Sequence, residues 1–524
     1  MTNHFEWGKR PKGAAASTRS QVAGPESLEH VGKTLKTEAS LASIFGRVAA
    51  PCHPAQPHPG VKMSSALPAQ CVDPHSVGMS PERLQLLDAT LQQLVFEGQL
   101  PFARLKVLRY GKLVHDITVN SSLGEQTEES IYRYYSMTKI VTSVAVLICV
   151  ERGLLALDDP VEKYVPEMAG ARVVVGGSAA SGDLQTESAS MPTVRQCLTH
   201  TAGLGYGGLR GKTPQTSGLG FGWDNDEVDE ACIAAGCGAD MLGGGMAEWG
   251  SLAELAATLA AQPLRHHPGT RYDYGMGHIL AGRCIEVAMG RTLTEVMQSE
   301  IFDPLDMTDA GWGVHDADPR VLPMYRYGTF EFPDPERPWM NRLGQLEPHT
   351  NDDPRIHDHC KSEEICAAAT CYMPDAQMTG TAADWEKFHV ALARAGSGSN
   401  GHQLLSPASV TLLMANSLPG GVTCGEIAAP SGEGITPLAG FGLGGYSTVP
   451  TPGGPTLMSA GSYGWDGAAG TKAMWDTTTG LGFIFYTQLE FRATPECADF
   501  TGAITAQIYG ALQPQKIVVS SARL

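Results

Sequence analysis

Tyr135-Ser136-Met137-Thr138-Lys139, followed by the apolar residues 140–150, is the stretch that decides how the chain is read. Written as a helix, it places Ser136 at the amino end and Lys139 one turn on. Residues three apart share a helix face, so the hydroxyl and the amine point into one small space. An amine among apolar neighbours loses its preference for the charged form and can take the serine proton. The helix dipole and the free N–H groups of the first turn favour the resulting anion. S-x-x-K is thus the pattern of an activated serine nucleophile. Alone it is weak, since a chain of this length holds about two by chance. Its position strengthens it: Ile140, Val141, Val144, Leu147 and Ile148 make the following helix apolar nearly all round. Such a helix is buried, and buried polar groups need a reason.

The 524 residues could hold two or three domains or one large fold. With 37 basic against 55 acidic residues the net charge is −18, which argues against nucleic acid or an anionic membrane surface as partner. The apolar run at 140–150 is too short to span a bilayer. Twelve cysteines occur without C-x-x-C spacing, which suggests neither a zinc site nor a disulfide framework. Reduced thiols point to the cytoplasm.

Residues 1–76 are rich in Ala, Ser, Pro, Gly and His, without sustained periodicity, and read as a disordered extension. Their Arg, Lys and Ser carry some transit-peptide character, which leaves organellar targeting open, although Glu6, Glu26, Glu29 and Glu38 weaken it. Order begins at Ser80-Pro81-Glu82, an N-cap, a proline at N1 and an acid in the first turn. Strands are expected at 103–109 and 112–119, joined by Tyr110-Gly111. Helical patterns follow at 252–261, 277–289, 382–395 and 407–416, with a capping box at Thr292–Glu295. Strands return at 472–476 and 481–488, and a helix at 495–510 closes the chain. The fold class is therefore α/β (α+β). Both ends build one antiparallel sheet flanked by helices, and a helical middle forms a second lobe with the site at the junction. The domain runs 77–515, with a sheet lobe from 77–135 and 400–512, a helical lobe from 136–399, and a tail at 516–524.

From Val77 to Leu512 the chain resembles the serine β-lactamase and penicillin-binding-protein superfamily, above all its class-C-like esterases (family VIII carboxylesterases) and transacylases. Ile131 to Lys139 looks like the nucleophile motif. Cys197-Leu198-Thr199-His200-Thr201-Ala202-Gly203-Leu204 is similar to L-L-T-H-T-S-G-L, and Ile301-Phe302-Asp303-Pro304-Leu305-Asp306-Met307-Thr308 to I-F-x-P-L-G-M-T. The resemblance implies a β-lactamase/transpeptidase-like fold and an acyl-enzyme mechanism. Within Tyr272-Asp273-Tyr274-Gly275 it assigns the second catalytic group to Tyr274, with Tyr272 as the rival. A phenol titrates near 10, so it serves as a base only beside a cation, here Lys139.

Gly464-Trp465-Asp466-Gly467-Ala468 stands where the esterases have W-x-G. This implies Trp465 and Gly467 as substrate-binding residues and an oxyanion hole from the N–H groups of Ser136 and Ala468. Trp465 replaces the cation that would bind a β-lactam carboxylate. Asp466 departs from the usual glycine and, by strand alternation, points away from the nucleophile. Residues 372–380 depart from the usual Gly-rich strand, and the proline-rich 315–370 suggest a lid.

His266-His267 and His357-Asp358-His359 read as loop histidines, and no metal or other cofactor is expected. The two G-x-G-x-x-G matches, at 203–208 and 440–445, read as loops. The expected activity is hydrolysis of small carboxylic esters. The alternatives are acyl transfer to an alcohol or amine, and a scaffold that keeps the fold without turnover.

Overall fold

The computed structural model describes residues 62–64, 71–178, 181–205, 227–237, 249–312, 314–315, 318–327, 346–348, 359–360, 374, 376–427, 439–449, 457–489 and 500–513. A short strand, Lys62–Ser64 (β1), comes first. Helix α1 (Pro81–Phe96) starts where its cap requires, the Ser80 hydroxyl accepting from the Arg83 N–H at 3.3 Å. Its buried stripe is Leu84, Leu87, Leu91 and Val95.

Strands β2 (Ala103–Arg109) and β3 (Lys112–Asn120) follow as a hairpin. Tyr110 and Gly111 at its tip have φ of 52° and 66°. Two positive φ values in a two-residue turn match the right-handed twist of the flanking strands. β3 runs one residue beyond the expected end, and β1 lies antiparallel on its outer edge with Lys62 opposite Asn120. That strand falls within the stretch expected to be disordered, most of which lies outside the described residues, as does the expected tail.

Next come β4 (Ile131–Arg133), a 3₁₀ turn at Tyr135–Met137 and helix α2 (Thr138–Glu151), which is buried from Thr138 through Cys149. Helices α3 (Val194–Leu198), α4 (Leu252–Ala260) and α5 (Gly277–Met289) form the helical middle, and α5 packs on α2, α3 and α4. The capping box at Thr292 is present, with Glu295 closing back on the Thr292 N–H at 2.9 Å.

Two short strands, β5 (Gly311–Trp312) and β6 (Met378–Thr381), join β4 in a small sheet with β6 in the centre. The sequence gives no sign of β6, because its four residues are all buried and show no alternation. Helix α6 (Ala382–Ala393) leads back towards the main sheet. The last strands are β7 (Gly440–Phe441), β8 (Tyr446–Ser447), β9 (Tyr463–Asp466), β10 (Lys472–Asp476) and β11 (Leu481–Tyr486). The second Gly-rich match is thus a hairpin.

The main sheet is antiparallel throughout, in the order β1-β3-β2-β11-β10-β9-β8-β7. Both ends of the chain meet at the β2–β11 pair, where Leu105 faces Phe485. Helix α7 (Phe500–Gly510) closes on α1, where Arg83 Nη1 donates to the Gly510 carbonyl at 2.8 Å. Among the described residues no helix is long and apolar enough to cross a membrane.

Candidate active site

The nucleophile turn is positioned from both sides. β4 is held to β6, and the Tyr134 N–H donates to the Met378 carbonyl at 3.0 Å. The chain then reverses: Tyr135 has φ 46°, a left-handed conformation rare outside glycine, before Ser136 enters the 3₁₀ turn. Such conformations persist only where the surroundings impose them. Residues three apart lie on one face as the 3₁₀ turn runs into the α-helix. Ser136 and Lys139 are related this way, and Lys139 Nζ donates to Ser136 Oγ at 3.3 Å. Lys139 is buried, whereas Ser136 remains partly exposed at the mouth of the site.

Tyr274 arrives from the loop before α5 and donates its phenolic O–H to Ser136 Oγ at 2.8 Å. Lys139 Nζ also stands over the Tyr274 ring, 4.8 Å from its centroid. Tyr272, the rival, is buried, with its ring against Phe441 at 5.4 Å. Three side chains separated by as much as 138 positions thus share one oxygen, Ser136 Oγ.

On the opposite wall β9 carries Trp465. Its ring lies 5.4 Å from that of Tyr274, and Nε1–H reaches Tyr274 Oη at 3.4 Å. The indole is therefore a donor to the phenol oxygen. Asp466 points to the other face of the strand, where it pairs with Lys472 at 2.7 Å. The pair lies over the Tyr446 ring, 5.5 Å from Lys472 Nζ. Burial pulls the Lys472 ammonium down, but Asp466 and Tyr446 outweigh it and hold its pKa above the ordinary range.

Gly467 sits where no other residue fits: a Cβ there would lie 2.3 Å from the Tyr134 carbonyl oxygen and 2.2 Å from Thr471 Oγ1. This close approach brings the Ala468 segment against the nucleophile turn. The loop is pinned by the Gly467 N–H on the Thr471 carbonyl at 2.7 Å and by Thr471 Oγ1 on the Tyr134 carbonyl at 3.2 Å. Ala468 is partly exposed, and Ser136 lies in a first turn, where N–H groups have no intrahelical acceptor.

Sequence reasoning missed what lies behind Tyr274. The imidazole of His200, in the T-H-T segment, packs on the Tyr274 ring with centroids 4.4 Å apart and accepts from the Gly275 N–H at 3.1 Å. His278 lies beyond it at 5.3 Å and contacts Ser143 Oγ at 3.4 Å. Burial pushes the pKa of both imidazoles well below 6.5, and the Lys139 charge adds to it for both. The same loop is tied down by Arg265, which bridges Asp273 at 2.8 Å and Asp229 of the helix Glu227–Ala234.

The other histidines take local partners: His266 Nδ1 contacts the His267 carbonyl and His267 Nε2 contacts Glu187. His357 and Asp358 lie outside the described residues, as do most of 315–370 and parts of 372–380. Among the described residues no three His, Cys, Asp or Glu side chains cluster as metal ligands.

The arrangement places a serine hydroxyl between a phenol and a lysine amine, a set of groups suited to acyl transfer to serine. The pattern of the beta-lactamase family matches residues 87–506. Lovastatin esterase of Penicillium rubens is 32% identical over 186 residues, 36% of this chain and 40% of the esterase. Esterase EstB of Burkholderia gladioli is 28% identical over 249 residues, 47% of this chain and 55% of EstB. The chain thus spans about half or less of the length of these curated relatives. The solved structure of simvastatin synthase (LovD) from Aspergillus terreus superposes with a TM-score of 0.62 at 20% identity, covering 82% of this chain and 99% of LovD. The fold is that of the β-lactamase/transpeptidase group, and the chain belongs to the beta-lactamase family.

Proposed function

We propose that this protein is a serine hydrolase that cleaves small carboxylic esters through an acyl-enzyme. The observation that carries the reading is the convergence on Ser136 Oγ of Tyr274 Oη at 2.8 Å and Lys139 Nζ at 3.3 Å. Ser136 Oγ attacks the ester carbonyl carbon while its proton passes to the Tyr274–Lys139 pair. The N–H groups of Ser136 and Ala468 receive the oxyanion. When the tetrahedral intermediate collapses, the carbon–oxygen bond to the leaving alcohol breaks and the same pair returns the proton to that oxygen. Water attacking the acyl-enzyme repeats the sequence and frees Ser136. An alcohol in place of water gives acyl transfer, so the two outcomes share every step up to the acyl-enzyme.

Trp465 shapes substrate choice. It offers an apolar face and one donor but no charge for a substrate carboxylate. On the neighbouring strand, the Lys472 ammonium is committed to Asp466. Neutral acyl esters of short to medium length should be preferred over β-lactams. The described cysteines are free thiols, which supports a reducing compartment.

The test is kcat/KM for p-nitrophenyl esters of increasing chain length against nitrocefin, repeated in Trp465→Lys. The wild type should prefer an ester, and the variant should narrow the gap by roughly one to two decades, the worth of one charge-assisted contact. Preference for nitrocefin in the wild type would overturn the reading. Product analysis with added alcohol separates hydrolysis from transfer.

A further inference from the structure

Residue 200 grips the catalytic tyrosine's loop from both sides. Its carbonyl accepts from the Asp273 N–H at 2.8 Å, and its Nδ1 accepts from the Gly275 N–H at 3.1 Å. Tyr274, between those two residues, lies against the face of the same imidazole at 4.4 Å. His200 itself has φ 55°, so the backbone is turned into the left-handed region to make both contacts. Its side chain is fully enclosed by Tyr274, Tyr272, His278 and Phe441.

The tautomer follows from these contacts. Nδ1 faces an N–H donor and must carry a lone pair, so the proton of the neutral ring is on Nε2. Among the described residues Nε2 has no hydrogen-bond partner. A buried donor left unsatisfied costs free energy that a plain packing residue would avoid. The ring is retained for its acceptor side.

From these contacts we infer that His200 is a positioning residue for Tyr274, its neutral Nδ1 holding the Gly275 amide so that the phenol stays within reach of Ser136 Oγ. The inference rests on the serine-nucleophile reading above. It adds a role for the T-H-T segment. Burial keeps the imidazole neutral far below its ordinary titration range, so the acceptor persists at working pH. An imidazolium there would turn a donor towards the Gly275 N–H and break the grip.

Two substitutions separate the acceptor from the ring and from the backbone conformation. His200→Gly tolerates φ 55° but offers no acceptor. His200→Asn also suits that conformation and places an amide oxygen close to the former Nδ1. Both lose the aromatic contact equally. The readouts are the rate of covalent labelling by a fluorophosphonate, the split between kcat and KM on a p-nitrophenyl ester, and thermal unfolding. H200G should lose about ten- to a hundredfold in kcat and in labelling rate, with KM within about threefold. H200N should recover kcat to within about fivefold of the wild type. Equal rates in the two variants, fast or slow, would overturn the assignment. If H200G does not unfold cooperatively, H200N decides: cooperative folding with a tenfold or greater loss of kcat contradicts it. Failure of the wild type to label would instead count against the serine nucleophile, and so keeps the two claims distinguishable.

Discussion

The indole N–H of Trp465 stands 3.4 Å from the phenolic oxygen of Tyr274, across a gap of 191 residues. With Lys139 over the same ring, the phenol oxygen has a donor on one side and Ser136 on the other. Trp465 thus helps to hold the phenol oxygen beside Ser136 Oγ.

That contact can be tested with Trp465→Phe, which keeps an aromatic wall and removes the N–H. An ordinary intramolecular hydrogen bond contributes about 0.5–1.5 kcal/mol, worth up to about tenfold in rate. The expected loss is about tenfold in kcat, with little change in KM. An unchanged kcat would show that Trp465 only lines the pocket.

Asp466 and Lys472 behave as a structural pair on the far face of the same strand. Asp466→Asn should cost about 1–3 kcal/mol, because it leaves a half-buried ammonium without its countercharge while Asp466 itself is 39% exposed. The folded-state pKa of Lys472 is raised, so the stabilisation is complete below the unfolded lysine value near 10.4 and is lost only as pH rises through the higher folded value. Urea unfolding at pH 6 and pH 9 should therefore give the same penalty. A penalty that differs between them, or no penalty, contradicts the pairing.

His389 makes acid stability measurable. Its ring stacks on Trp475 at 4.3 Å, Nε2 lies 2.9 Å from the Met474 carbonyl, and burial pushes its pKa down to about 4. In the unfolded chain the imidazole takes a proton below about 6.5. Between those limits the unfolded state binds more protons. Stability is full above about 6.5, falls as pH drops towards 4, and changes no further below that from this group. The span is roughly 3 kcal/mol. His389→Met should lose stability at neutral pH but show a shallower decline between pH 7 and 4.5 by urea titration. Identical slopes in the two proteins would remove His389 as a source of acid sensitivity.

How much of this was legible depended on the range of each interaction. The Ser136–Lys139 pair is local, and two polar groups heading an apolar helix stand out in any sequence. The strands 103–109 and 472–476, and the helix 277–289, follow from periodicity and turn residues and fall where those signals place them. Asp466 turns away as strand alternation requires. What could not be read is non-local. The grip of His200 on residues 273 and 275, and the Trp465 donor on Tyr274, join segments 73 to 191 positions apart and leave no periodic trace. The contact of Tyr274 with Ser136 Oγ, 138 positions away, is likewise non-local. Strand β6 stayed hidden because a short strand buried on both faces does not alternate.

The account's central claim is that Ser136 is the nucleophile, and intact-protein mass spectrometry after incubation with a fluorophosphonate measures it directly. The wild type should gain one adduct, mapped by proteolysis to the peptide containing Ser136. Ser136→Ala should gain none and lose ester turnover, with its melting temperature within a few degrees of the wild type, since one partly exposed hydroxyl contributes little to packing. A stoichiometric adduct on folded Ser136→Ala, or one mapped to another residue in the wild type, would contradict the account.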